Sequence, residues 1–152
     1  MGLNDKISED LKGAMKSGDR IRLETLRTLR AALMEKEIER RGGKQEMSPE
    51  DEIGVLMSAA KKRRESIELF EKGGRSDLAE QETKELAIIQ EYLPKQMSPE
   101  EVQGVIDGII GETGASGAGD FGKVMSLAMK QLRGKADGKL VQELVKKRLG
   151  SN

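Results

Sequence analysis

Apolar residues return every three or four positions along almost the whole chain, and nowhere do they alternate with polar ones over a strand's length. A period near 3.6 places such residues on one face of an α-helix, whereas a half-buried strand needs a period of two. The pattern therefore predicts an all-α protein. Leu3, Ile7, Leu11 and Met15 mark a first helix. A second runs from about Asp19 to Arg41 with Leu26, Leu29 and Leu33 as its stripe, and Gly42 and Gly43 as its stop. The segment "MSPEDE" opens a third helix, with Ser48 as N-cap and Pro49 at the first helical position. Its stripe is Ile53, Leu56, Met57, Ala60, Ile67 and Phe70, and Gly73 and Gly74 follow. Leu78, Leu86, Ile89 and Leu93 mark a fourth helix before Pro94.

A second "MSPE", at Met97 to Glu100, repeats the start signal. Ser98 and Glu101 have the spacing of a capping box, and Met97 stands where a residue staples onto Val102. The sequences after the two copies differ, so they read as convergent helix caps and not as an internal repeat. "YLPKQMS" is then the natural hinge between a helical domain at 1–94 and a three-helix domain at 95–152. In the second domain the stripes are Val102, Val105, Ile106, Ile109 and Ile110; Phe121, Val124, Met125, Ala128 and Leu132; and Leu140, Val141, Leu144 and Val145. "GETGASGAGD" between the first two reads as a flexible connector.

Composition narrows the chemistry. The 152 residues include no cysteine, no histidine and only three aromatics, Phe70, Tyr92 and Phe121. Thiol nucleophiles, disulfides, most zinc sites and the usual general base near neutral pH are excluded. No cofactor, no metal and no catalytic residue is expected. Eight methionines serve as core filler. No signal-like or membrane-spanning apolar run is visible, and Lys6 stands where a myristoylation signal wants Ser or Thr, so a soluble cytoplasmic protein without a membrane partner is expected.

Charge is balanced overall, 27 basic residues against 27 acidic, but residues 121–152 carry eight basic side chains against Asp137 and Glu143. Within them lies "QLRGKADGKLVQ", Gln131 to Gln142. It is no nucleotide loop: three residues separate Gly134 from Gly138, and Leu140 stands where Ser or Thr is required. "DFG" at Asp120 to Gly122 lacks the other motifs of a kinase, and Asp120 reads as the N-cap of the helix starting at Phe121. Gly134 suits a left-handed residue closing one helix, and Asp137 suits a cap opening the next. Lys123 with Lys130, and Lys139 with Lys146, fall opposite the apolar stripes of their helices, either as a solvated face or as a phosphate-binding one. "KKRR", Lys61 to Arg64, has Glu65, Glu68 and Glu71 at pairing distance along the same helix, and Glu80 and Glu82 read as ordinary surface charge and not as a catalytic pair.

Three stretches, "RLETLRTLRAAL", "KKRRESIELFEKGGRSDLAEQETKELAIIQEYLPKQMSPEEV" and "DFGKVMSLAMKQLRGKADGKLVQELVKKRL", resemble the YqeY (GatB/YqeY-like) family over nearly the whole chain. The last also resembles the tail domain of the B subunit of tRNA-dependent amidotransferases. The resemblance implies a four-helix N-terminal unit followed by a small three-helix domain. It also implies an association with glutamine-dependent carbon–nitrogen ligase activity, without catalysis by this chain alone. It implies RNA contact at Lys123, Lys130, Arg133, Gly134, Lys135, Asp137 and Lys139, the positions matching the tail motif. tRNA is the expected partner; the alternative is an adaptor that docks an amidotransferase or an aminoacyl-tRNA synthetase.

Overall fold

The computed structural model describes residues 2–150; Met1, Ser151 and Asn152, at the outer ends of the two expected domains, lie outside the described residues. Among the described residues there are seven α-helices and no strand, so the all-α reading of the periodicity holds. The chain divides into two compact units, Met1–Leu93 and Pro94–Asn152. No helix among the described residues is long and apolar enough to cross a membrane.

The first unit contains α1 (Leu3–Ser17), α2 (Arg20–Gly42), α3 (Pro49–Lys72) and α4 (Ser76–Gln90). Its core joins Ile7 and Leu11 to Leu26, Leu29, Leu33, Leu56, Ala60, Ile88, Ile89 and Leu93. In α1 the buried residues are Ile7, Leu11 and Ala14, whereas Met15 is 57% exposed. A strict spacing of four drifts about 40° per step around a helix, so the fourth member leaves the stripe and Ala14 takes its place. α4 stops at Gln90, four residues before Pro94, and i→i+3 bonds from Glu91, Tyr92 and Leu93 tighten the chain so that Leu93 is buried.

Local chemistry sets the boundaries. Asp19 accepts from the Arg22 backbone N–H at the start of α2. Ser48 and Asp51 bond reciprocally as a capping box, the Ser48 hydroxyl accepting from the Asp51 N–H and the Asp51 carboxylate from the Ser48 N–H. The two Gly-Gly stops behave differently. After α3 the left-handed residue is Gly74 (φ +72°), but after α2 it is Lys44 (φ +59°), one position beyond the glycines. The Gln45 N–H reaches back to the Arg40 carbonyl at 2.8 Å, and this closure leaves the left-handed turn on a residue with a Cβ.

"KKRR" does not pair only along its own helix. Lys61 meets Glu65 at 4.0 Å, but the largely buried Arg63 crosses to α4, with Nε 3.5 Å from Glu82 and 3.6 Å from Glu85. Burial and the neighbouring Glu82 raise the Glu85 carboxyl above its ordinary range. Glu82 thus serves α3–α4 packing, and Glu80 pairs with Lys84 at 3.7 Å.

Two outcomes follow. Lys44→Gly removes the Cβ penalty of a left-handed residue and stabilises the first unit by about 0.5–1 kcal/mol, measured by chemical denaturation. Hydrogen bonds from Ser48 and the Arg40 guanidinium hold the Asp51 carboxyl at about 2. Its folded pKa lies below the unfolded value, so its contribution is full above the ordinary carboxylate pKa and fades as pH falls from about 4 towards 2. Asp51→Asn therefore lowers the melting temperature at pH 7, and the gap from the parent closes as pH falls through that window.

Candidate nucleic-acid interface

The second unit packs α5 (Pro99–Thr113), α6 (Phe121–Leu132) and α7 (Gly138–Leu149) around Val102, Ile106, Ile109, Val124, Ala128, Leu132, Ala136, Val141, Val145 and Leu149. Apart from Ala136, which lies in the turn between α6 and α7, these are the i, i+4, i+7 and i, i+4, i+8 positions of each stripe. α5 starts with the capping box of Ser98 and Glu101, and Met97 packs against the core that contains Val102.

The connector after α5 is built more firmly than its composition suggests. α5 continues to Thr113, Gly114 closes it in a left-handed conformation, and Ala118–Asp120 form a 3₁₀ turn, here η1. Asp120 does not cap α6. Its carboxylate accepts from the Ser116 N–H at 3.0 Å, within the connector, because η1 leads straight into α6 and occupies the capping position with helical backbone.

α6 and α7 meet at the corner 133–137. The Arg133 N–H donates to the Met129 carbonyl, and the Lys135 and Ala136 N–H groups both donate to Leu132. Gly134 is buried with φ +81°, as its place after a helix implies. Asp137 caps α7, accepting from the Lys139 N–H at 3.4 Å. Two carbonyls of the corner accept from the segment that precedes α5. The Gln96 amide donates to the Gly134 carbonyl at 2.7 Å and to Pro94 at 2.8 Å, and the Met97 N–H donates to the Lys135 carbonyl at 2.8 Å. Residues 96–97, read from sequence as part of a hinge, are thus bonded into the second unit. Sequence reasoning passed over Gln96; its one visible signal is a polar residue with two donors between a proline and an N-cap.

The corner groups Arg133, Gly134, Lys135 and Asp137, with Lys130 and Lys139 in the helical turns on either side and Lys123 at the start of α6. Lys123, Lys130, Arg133, Lys135 and Lys139 are exposed, Asp137 is half-buried, and only Gly134 is enclosed. Gly134 and Asp137 therefore shape the corner, and the cations decorate it. Among the described residues, Lys123, Lys130, Arg133 and Lys135 form no ion pair. The rest of the basic segment is partly committed. Arg148 bonds Asp107 of α5 at 2.7 Å and, with Gln103, holds that carboxyl below its ordinary range. Lys146 does not stand clear of the apolar stripe, for its Nζ lies 5.9 Å from the centre of the Phe121 ring.

Such an arrangement suits anionic backbone. Cations on a fixed turn can follow successive phosphates, and one half-buried aromatic offers little for base stacking. Gln96→Ala leaves two carbonyls short of a partner and is expected to destabilise the second unit by about 1–3 kcal/mol, read from hydrogen exchange at the Lys135 and Ala136 amides.

The family model described as "Yqey-like protein" matches residues 4–149. The chain is 39% identical over 88 residues to Altered inheritance of mitochondria protein 41, mitochondrial, of Lachancea thermotolerans, covering 57% of this chain and 46% of that protein. It is 35% identical over 130 residues to the E subunit of glutamyl-tRNA(Gln) amidotransferase of Methanococcus maripaludis, covering 80% of this chain and 20% of that protein. With its counterpart of the same name in Thermococcus gammatolerans it shares 36% over 100 residues, 57% of this chain and 16% of that protein. The chain thus spans less than half the length of the mitochondrial relative and a fifth or less of the amidotransferase relatives.

Proposed function

The chain belongs to the Yqey-like family, and on that premise we propose that it is a tRNA-binding accessory module associated with a tRNA-dependent amidotransferase and without catalytic chemistry of its own. The observation that carries the reading is the set of exposed cations without ion pairs among the described residues, Lys130, Arg133 and Lys135 on or beside a hydrogen-bonded corner and Lys123 at the other end of α6. Lys139, in the first turn of α7, adds a fifth charge. The name of the amidotransferase relatives, which concerns glutamyl-tRNA(Gln), supports RNA as the polyanion. Association with an amidotransferase, and residence in the cytoplasm, belong to the same proposal.

Recognition in this reading runs through phosphate geometry. Gly134 and Asp137 set the turn, and the basic side chains supply charge without reading bases. Preformed backbone reduces the ordering cost on binding, so what remains is chiefly side-chain entropy. With about four phosphate contacts, each contributing roughly −0.9 to the logarithmic salt slope, affinity for unfractionated tRNA should fall about a hundredfold between 50 and 200 mM salt.

Fluorescence anisotropy with labelled tRNA tests this. Replacing Lys123, Lys130 and Lys135 together by Gln is expected to weaken binding and to flatten the slope by about 3. Binding that ignores both salt and this triple change contradicts the proposal.

A further inference from the structure

Two helices leave the corner 133–137, and charge decides which of them continues its cationic surface. Residues 121–136 carry Lys123, Lys130, Arg133 and Lys135 and no carboxylate at all. The basic side chains of α7 are diluted by comparison. Lys146 lies over the Phe121 ring, Arg148 is bonded to Asp107, and the exposed Glu143 stands one helical turn before Lys147 and offsets it. The uncompensated positive face is therefore that of α6.

Along α6, Lys123, Ser126 and Lys130 fall within an arc of about 60°, opposite the stripe of Val124, Ala128 and Leu132. All three are exposed. Ser126 comes three residues after Lys123 and four before Lys130, so it is a surface neighbour of both. Its hydroxyl is uncommitted. Ser126 forms no side-chain hydrogen bond among the described residues, whereas the Ser98 hydroxyl caps α5 and that of Thr113 donates to the Ile109 carbonyl at 2.8 Å. The large apolar side chains that stand exposed among the described residues are Met15, Met34, Ile38 and Leu69, and none lies on α6. An amphipathic protein helix has nothing to bury on such a face. A phosphodiester backbone finds two ammonium groups with a neutral donor between them, the mixture that serves phosphate oxygens.

We propose that the polyanion leaves the corner along the outer face of α6, where the Ser126 hydroxyl donates to a phosphate oxygen between the contacts of Lys123 and Lys130. This assignment rests on the tRNA reading and adds to it a direction and a contact that carries no charge.

Anisotropy titration of labelled, unfractionated tRNA into the full chain and its variants, repeated across 50–200 mM salt, is the test. Ser126→Ala is expected to weaken binding about fivefold, the loss of one hydrogen bond, with the salt slope unchanged because no counterion is involved. Ser126→Thr keeps the hydroxyl and binds within about twofold of the parent. Ser126→Asp sets a carboxylate between the lysines; it is expected to weaken binding about twentyfold or more and to flatten the slope by about 1. Circular dichroism confirms that each variant folds. Lys147→Gln changes the net charge of the same unit by the same amount as Ser126→Asp, but on α7, and leaves affinity within about twofold. Indifference to Ser126→Ala and Ser126→Asp, with tRNA still bound at the parent's salt slope, overturns this assignment and leaves the tRNA reading standing. A loss with Lys147→Gln equal to that with Ser126→Asp overturns it as well, since net charge then governs in place of α6. Absence of tRNA binding by the parent chain overturns both.

Discussion

The second unit turns on the bonds between the segment before α5 and the corner after α6. Gln96 and Met97 satisfy the carbonyls of Gly134 and Lys135, which no helical partner can reach. A buried turn needs that satisfaction, because an unpaired carbonyl costs about as much as a lost hydrogen bond. The same two bonds bring the N-terminal end of α5 beside the α6–α7 turn, so all three helices converge on one place. The positions of Arg133 and Lys135 follow from it.

The first unit relies on a different balance. Its apolar cluster of Leu, Ile and Ala supplies the bulk of the stabilisation, and exposed pairs such as Lys72–Glu68 add little. The partly buried polar contacts are another matter. Arg63 stands between Glu82 and Glu85, Arg40 reaches Asp51, and the Tyr92 hydroxyl donates to Asp10. Each carries a desolvation cost, offset only while its partner is in place. These contacts specify which helices pair more than they deepen stability: Arg63 admits α4 beside α3, and Tyr92 ties the end of α4 to α1.

Much of this was legible in the sequence, and the misses have physical causes. Helix identity followed from period, and the starts at Ser48, Ser98 and Asp137 followed from cap chemistry, because both are local. Gly134 was legible for the same reason. Met15 was misplaced since a spacing of four overshoots the helical repeat, and Asp120 because a 3₁₀ turn takes the place of its cap. The left-handed Lys44 was hidden behind two glycines that looked sufficient. Arg63 and Gln96 were not readable at all, for their partners lie 19 to 38 residues away in sequence. Helical spacing placed Lys123 with Lys130 and Lys139 with Lys146, and the resemblance to the amidotransferase tail added Arg133 and Lys135; their exposure, and the engagement of Lys146 and Arg148 elsewhere, required the structure.

We propose that the corner 133–137 is the place where a polyanion meets this chain. Amide chemical-shift mapping during titration of the full chain with unfractionated tRNA tests it most directly. The account predicts that the largest perturbations fall at residues 130–139, with Gln96 and Met97 following because they are bonded to the corner. Perturbations confined to other residues, with the Lys130 to Lys139 amides unmoved at saturation, would contradict it.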